Sequence, residues 1–216
     1  MAEIKDAESR IRELDKFALF VDAPGNPGKR SRLVWGIFNG NPRISVFTNV
    51  QSDQNTRYGI ISAPMDPQNF LAFLMLFERV IKGQVEKIKV DCLSSPRDKD
   101  GKAGDIRKIS EIFVGKNADG VIWISVVDVD EKRPKIVFEF QKSIYHQFYK
   151  ADGTPFSSGE CSQLIAMATC DALKEGYRSL TTQLRPVNPN AGQRNEERKP
   201  APSKPASNFE LDEISF

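Results

Sequence analysis

The sequence predicts an α+β fold made of two β4α units in one chain, each an antiparallel sheet followed by a helix. Three observations predict it. Runs rich in β-branched and aromatic residues recur at short intervals, with turn residues between them. Two amphipathic helical patterns stand far apart, each closing a group of such runs. Finally, segments about 90 residues apart resemble each other. Leu33-Val-Trp-Gly-Ile37 is like Val121-Ile-Trp-Ile-Ser125, and Pro42-Arg-Ile-Ser-Val-Phe47 is like Pro134-Lys-Ile-Val-Phe138.

The first group of strands is expected at Phe17–Asp22, Arg32–Phe38, Arg43–Thr48 and Tyr58–Ser62, with Asn39-Gly-Asn-Pro42 as a turn. A helix then starts at Asp66-Pro67, an N-cap followed by proline at the first helical position. Phe70, Phe73, Leu74, Phe77, Val80 and Ile81 recur along it at helical spacing, and Gly83 closes it. An extra strand, Glu86–Leu93, follows, and Ser94–Asp105 reads as a hairpin tip. The second group is Arg107–Val114, Val121–Asp128, Lys135–Gln141 and Ile144–Tyr149, with a turn over Asn117–Gly120. The second helix starts near Ser157 or Ser158, with Glu160 at the distal place of a capping box. It runs through Leu164, Ile165, Ala168, Ala172, Leu173 and Tyr177. Trp35 shares a strand face with Leu33 and Ile37, and Trp123 with Val121 and Val127, so both indoles are expected in the core. The rival architecture is an OB-fold barrel with added helices.

These elements imply an N-terminal arm over 1–14 and a globular domain over 15–183, with repeats at about 15–83 and 105–183. From Arg185 to Ser207 there are five prolines, no aromatic residue and only Val187 as a bulky aliphatic. Such a stretch buries too little surface to offset its ordering entropy, so 184–207 is expected to be a disordered linker. Apolar residues return only in the tail, 208–216. Three cysteines in 216 residues argue against a disulfide framework and for a reducing cytosol. No apolar run approaches the roughly 20 residues of a membrane span, and the charged N-terminus does not read as a secretion signal. The expected location is the cytoplasm.

Known catalytic patterns are missing from the sequence. His146 is the sole histidine and no G-x-S-x-G elbow accompanies it. Cys161 and Cys170, nine residues apart on a helix, fall on opposite faces, and Cys92 is distant, so no zinc spacing exists. Neither glycine-rich phosphate loop occurs. Asp128 and Asp130 read as part of a charged hairpin rather than as a metal pair. A metal-dependent nuclease using Asp22, Asp91, Asp128 or Glu111 is therefore the least favoured class. No catalytic residue, metal or cofactor is expected.

The charge is uneven. The last nine residues hold Glu210, Asp212 and Glu213 and no base, a formal −3, so against a total of +2 the rest of the chain carries +5. A basic body with an acidic tail suits a nucleic-acid binder. Single-strand binding needs cations for phosphates and aromatic planes for bases. Lys29, Arg30 and Arg32 lead into the strand holding Trp35. Arg43 and Phe47 share a face of the next strand, and Arg57 adjoins Tyr58. In the second half, Lys132, Arg133 and Lys135 flank one strand, while Lys142, Tyr145, Tyr149 and Lys150 form a basic-aromatic cluster. Phe47, Tyr145 and Tyr149 are the expected stacking rings.

In the tail, Phe209, Glu210, Leu211, Asp212, Glu213, Ile214 and Phe216 alternate acids with large apolar side chains. A terminal phenylalanine offers a ring and an α-carboxylate together, suited to an apolar pocket beside a base. This ending resembles the tail of bacterial single-stranded DNA-binding proteins, Asp-Ile-Pro-Phe, and the acidic Phe-terminated tails of their phage counterparts, with Ser215 in place of proline. The β4α duplication resembles Whirly-type folds, an analogy of fold alone. The resemblance implies a non-enzymatic, largely sequence-independent single-stranded DNA-binding protein of phage type, acting in replication, recombination or repair in a host bacterial cytoplasm. It also implies replication or repair partners recruited by the tail. The rival class is an RNA-binding or strand-annealing protein. The sequence does not fix the oligomeric state, and a homo-oligomer is one option.

Overall fold

The computed structural model describes residues 15–38, 41–54, 59–95 and 104–183. All structural statements below concern these residues. The predicted arm (1–14), linker (184–207) and tail (208–216) lie outside them, as do Arg57, Tyr58 and most of the 94–105 loop.

The architecture is α+β, with two four-stranded antiparallel sheets, each followed by a helix. The first sheet is a meander of β1 (Leu19–Asp22), β2 (Arg30–Phe38), β3 (Asn41–Phe47) and β4 (Ile60–Pro64), followed by helix α1 (Pro67–Ile81). The second comprises β5 (Lys87–Ser94), β6 (Arg107–Lys116), β7 (Ile122–Asp128) and β8 (Val137–Glu139), followed by helix α2 (Ser158–Gln183). The strand order is sequential in both sheets, consistent with a duplicated unit.

Local chemistry explains the helices. Asp66 holds extended backbone geometry before Pro67, whose fixed φ suits the first helical turn. Phe70, Phe73, Leu74, Phe77, Val80 and Ile81 are all buried, as their spacing predicts. Gly83, at φ +71°, takes the left-handed geometry that ends the helix. The capping box of α2 also forms. The Ser157 N–H donates to Glu160 Oε2 at 2.8 Å, and the Glu160 N–H donates to Ser157 Oγ at 3.2 Å. Ser157→Ala is expected to lower stability by about 1 kcal/mol, read as a lower denaturant midpoint at unchanged slope.

One core joins the two halves. Leu33, Trp35, Ile44 and Val46 from the first sheet meet Ile112, Val114, Ile124 and Phe138 from the second, with Phe77, Cys170 and Leu173 from the helices. Each large side chain buried there contributes about 1.5–3 kcal/mol of transfer free energy. Phe70 meets Tyr177 edge-on at 5.5 Å between the helices, and Lys174 pairs with Glu78. Ser110 Oγ donates to the Ser62 carbonyl at 2.9 Å, tying sheet to sheet.

Several expectations are corrected. The second unit starts at β5 (Lys87), not near residue 105, because the predicted extra strand is the first strand of the second sheet. The predicted strand Ile144–Tyr149 is instead irregular chain, with a single antiparallel bridge between Tyr149 and Pro155. The matched segments Leu33–Ile37 and Val121–Ser125 fall in β2 and β7, a second and a third strand, so that likeness does not follow the repeat. Trp35 is buried as expected, but Trp123 is only half-buried. It is Ile122, Ile124 and Val126 of β7 that enter the core, which turns Trp123 outward. On α2 the face that enters the core runs through Ala166, Cys170, Leu173 and Tyr177, while Cys161 on the opposite face is buried separately in the first turn, and Leu164 and Ala168 are exposed.

Candidate nucleic-acid interface

Strand alternation sorts the first sheet into two faces. On β3, Ile44 and Val46 point to the core, which sends Arg43, Ser45 and Phe47 outward. The register places Arg32 of β2 between Phe20 on β1 and Phe47 on β3. The Arg32 guanidinium lies 4.2 Å from the Phe47 ring centroid, and that of Arg30 lies 5.2 Å from the Phe20 centroid. Both distances are within cation–π range. Phe20 is half exposed, and Arg30 and Arg32 are exposed. The result is one basic-aromatic patch on the open side of the sheet, with half-buried Arg43 farther along β3; Lys29 is exposed just before β2.

The second group of predicted residues separates. Lys132 and Lys135 are exposed on the connection between β7 and β8. Arg133, between them, is buried, which removes it from any interface. Its Nε and Nη2 donate to the two carboxylate oxygens of Asp53 at 2.9 Å each. Its Nη1 donates to Asp128 Oδ2 at 2.9 Å and to the Ile60 carbonyl at 3.0 Å. Thr48 Oγ1 donates to Asp53 Oδ2 at 2.7 Å. Burial alone would raise the Asp53 carboxyl, but the bonds from Arg133 and Thr48 outweigh it and hold it below the ordinary aspartate range. The predicted basic trio is thus two surface lysines and one internal clasp. Asp128, a carboxylate considered for metal chemistry, serves the same clasp. Among the described residues no cluster of three or more metal-ligating side chains occurs.

The remaining predicted residues lie on an excursion over 141–157. Tyr145 and Tyr149 are 84% and 62% exposed there, beside exposed Ile144 and Phe148. His146 is exposed on the same segment, which is not a strand. The Lys150 N–H donates to the Thr154 carbonyl and that of Phe156 to the Phe148 carbonyl, which holds a short hairpin around Gly153. Lys150 Nζ pairs with Glu160 at 2.8 Å, holding that carboxyl down at about 2 and committing part of the lysine's charge. Lys142 donates to Gln147.

Residues outside the expected set complete the picture. Phe20 joins the first patch. On the second sheet, Lys87, Lys89, Phe113 and Trp123 share the outer face. The signal for them is the alternation Lys87-Ile-Lys89-Val-Asp91, which marks a strand with one polar face.

No family model matches the sequence, and no curated protein matches it. Among solved structures, the crystal structure of MRP1/MRP2 from Trypanosoma bruciei is similar at a TM-score of 0.40 and 10% identity. The match covers 81% of this chain and 96% of that one.

Proposed function

We propose that this chain binds single-stranded DNA without sequence preference, using the outer face of the first sheet, and recruits replication or repair proteins through its C-terminal nine residues. The observation that carries this reading is the patch in which Arg32 lies between Phe20 and Phe47, flanked by Arg30 and Arg43. Guanidinium groups on an open sheet supply fixed positive charge for phosphates, and the adjacent rings supply planes on which any base stacks. Nothing in that patch requires a particular base edge, so recognition rests on backbone charge and stacking. Tyr145 and Tyr149 add two exposed rings on a separate segment. The tail's part rests on its sequence alone.

The test is a titration of labelled single-stranded DNA, duplex DNA and RNA of equal length at several salt concentrations. Single-stranded DNA is expected to bind most tightly, with a log–log salt slope of about −0.7 for each phosphate neutralised. Affinity that ignores salt would sink the electrostatic part, and equal or tighter binding to RNA would favour the RNA-binding class. A chain ended at Ser207 separates the body's share from the tail's. It should bind single strands as tightly or slightly more tightly, because three competing acids are gone.

A further inference from the structure

We propose that the outer face of the second sheet is a separate base-stacking platform, with Trp123 as its central ring and Lys87 as its phosphate contact. The proposal rests on the reading above that the protein holds single strands. Its evidence, however, lies wholly on the other sheet.

The indole is laid against the sheet. A Cβ built on Gly115, directly across from it on β6, would come within 2.6 Å of Trp123 Cζ2 and 2.8 Å of Cε2. Gly115 does not take a positive φ, so space beneath the ring, not backbone freedom, is what requires glycine there. One face of the indole therefore covers the glycine. Because Trp123 is only half-buried, the rest of it faces out. Phe113 lies diagonally across the strand pair on the same face, half-buried as well. The Lys87 ammonium is shared between the two rings, 5.1 Å from the Phe113 centroid and 5.4 Å from that of Trp123.

Charge on this face is arranged unevenly. Glu111 takes Lys89 at 2.7 Å and Lys108 at 2.6 Å, and these two lysines hold its carboxyl down at about 2. No described carboxylate pairs with Lys87, which leaves its ammonium beside the rings for a phosphate. An exposed cation near two aromatic rings on one face is an arrangement suited to placing one phosphate of a flexible strand and stacking its neighbouring bases.

The two tryptophans provide the assay, since Trp35 is buried and serves as the internal reference. Unlabelled oligothymidylate is titrated against intrinsic emission, and a labelled strand against anisotropy. Wild type is expected to show quenching. Trp123→Leu, which keeps an apolar cover over Gly115, should lose the quench and bind from about fivefold to about a hundredfold more weakly. Lys87→Gln, a change at an exposed position, should reduce the magnitude of the salt slope by about 0.7. Circular dichroism establishes that both variants are folded. If wild type binds by anisotropy while its emission stays constant and both variants bind as tightly, the second platform is wrong and the first-sheet reading stands. If wild type binds no strand, both readings fall.

Discussion

Arg133→Ala is expected to cost about 3–5 kcal/mol of stability, enough to unfold much of the population at ambient temperature. The guanidinium is the shared partner of two buried carboxylates from different halves of the fold, Asp53 after β3 and Asp128 at the end of β7. Removing it leaves the Asp53 carboxylate buried without the guanidinium that meets both of its oxygens. The effect far exceeds that of a surface ion pair, for which about 0–1 kcal/mol is usual. Arg133→Lys should not rescue, because one ammonium cannot reproduce the fork that meets both oxygens of Asp53.

The pH dependence should change sign as well. In the wild type, the folded-state pKa of Asp53 lies below its ordinary 3.8, so the group's contribution is complete above that value and is lost as pH falls through the folded one. Glu111, lowered from 4.5 to about 2, acts in the same direction, so wild-type stability should decline on acidification through that interval. Without Arg133, burial is left as the dominant influence on Asp53 and raises its pKa. The folded state then binds the proton more tightly than the unfolded chain, so stability falls as pH rises through the raised value. Denaturant midpoints in neutral and mildly acidic buffer check this. A variant whose deficit relative to wild type is the same at both would show that Arg133 contributes packing rather than charge neutralisation.

That clasp also marks where sequence reading stops. In the run Lys132-Arg133-Pro134-Lys135 nothing local separates the buried cation from its exposed neighbours. The partner that buries it, Asp53, is 80 residues away and is reached only once β4 packs against the second sheet. Helix α1 is legible because each of its signals is local: Asp66-Pro67 at the start, helical apolar spacing along it, Gly83 at the end. Its fate does not depend on which sheet it meets. β7 is illegible for the opposite reason. Ile122 to Val127 is apolar on both faces apart from Ser125, so a period of two cannot say whether Trp123 or Ile124 enters the core. The difference is decided by Gly115 on the neighbouring strand, where the indole has room. The 141–149 segment misleads in another way. Its aromatic content reads as strand propensity, yet β8 ends at Glu139 and leaves Ile144, Tyr145, Phe148 and Tyr149 in solvent. For the first-sheet patch, Arg43 and Phe47 are legible from alternation along one strand. Phe20 is not, because only the β1–β2 register brings it beside Arg32.

The strand-binding variant with the largest expected effect is Arg32→Glu combined with Phe47→Ala. Under the proposed function, Phe47→Ala alone should remove a stacking plane on the outer face and reduce single-strand affinity by about 1–3 kcal/mol. Arg32→Glu replaces a phosphate-attracting charge with a repelling one and should reduce the magnitude of the salt slope by about 0.7 or more. Together they are expected to lower affinity at low salt at least about a hundredfold. The two effects should not simply add. Arg32 lies 4.2 Å over the Phe47 ring, so each constrains the position of the other. A double-mutant cycle should return a coupling of about 0.5 kcal/mol or more, whereas sites acting separately add within about 0.3–0.5 kcal/mol. Folding should survive, because both side chains project from the open face while Leu33, Ile44 and Val46 of the same strands keep the core filled. Trp35→Ala is the contrasting control. Its ring is buried and its Nε1 donates to the Phe17 carbonyl at 3.2 Å, so its loss should appear as about 3–5 kcal/mol of stability. Should the outward pair leave strand affinity unchanged while the protein still binds strands, the first sheet is not the binding face. Binding would then have to rest on the second sheet or on the 141–157 segment.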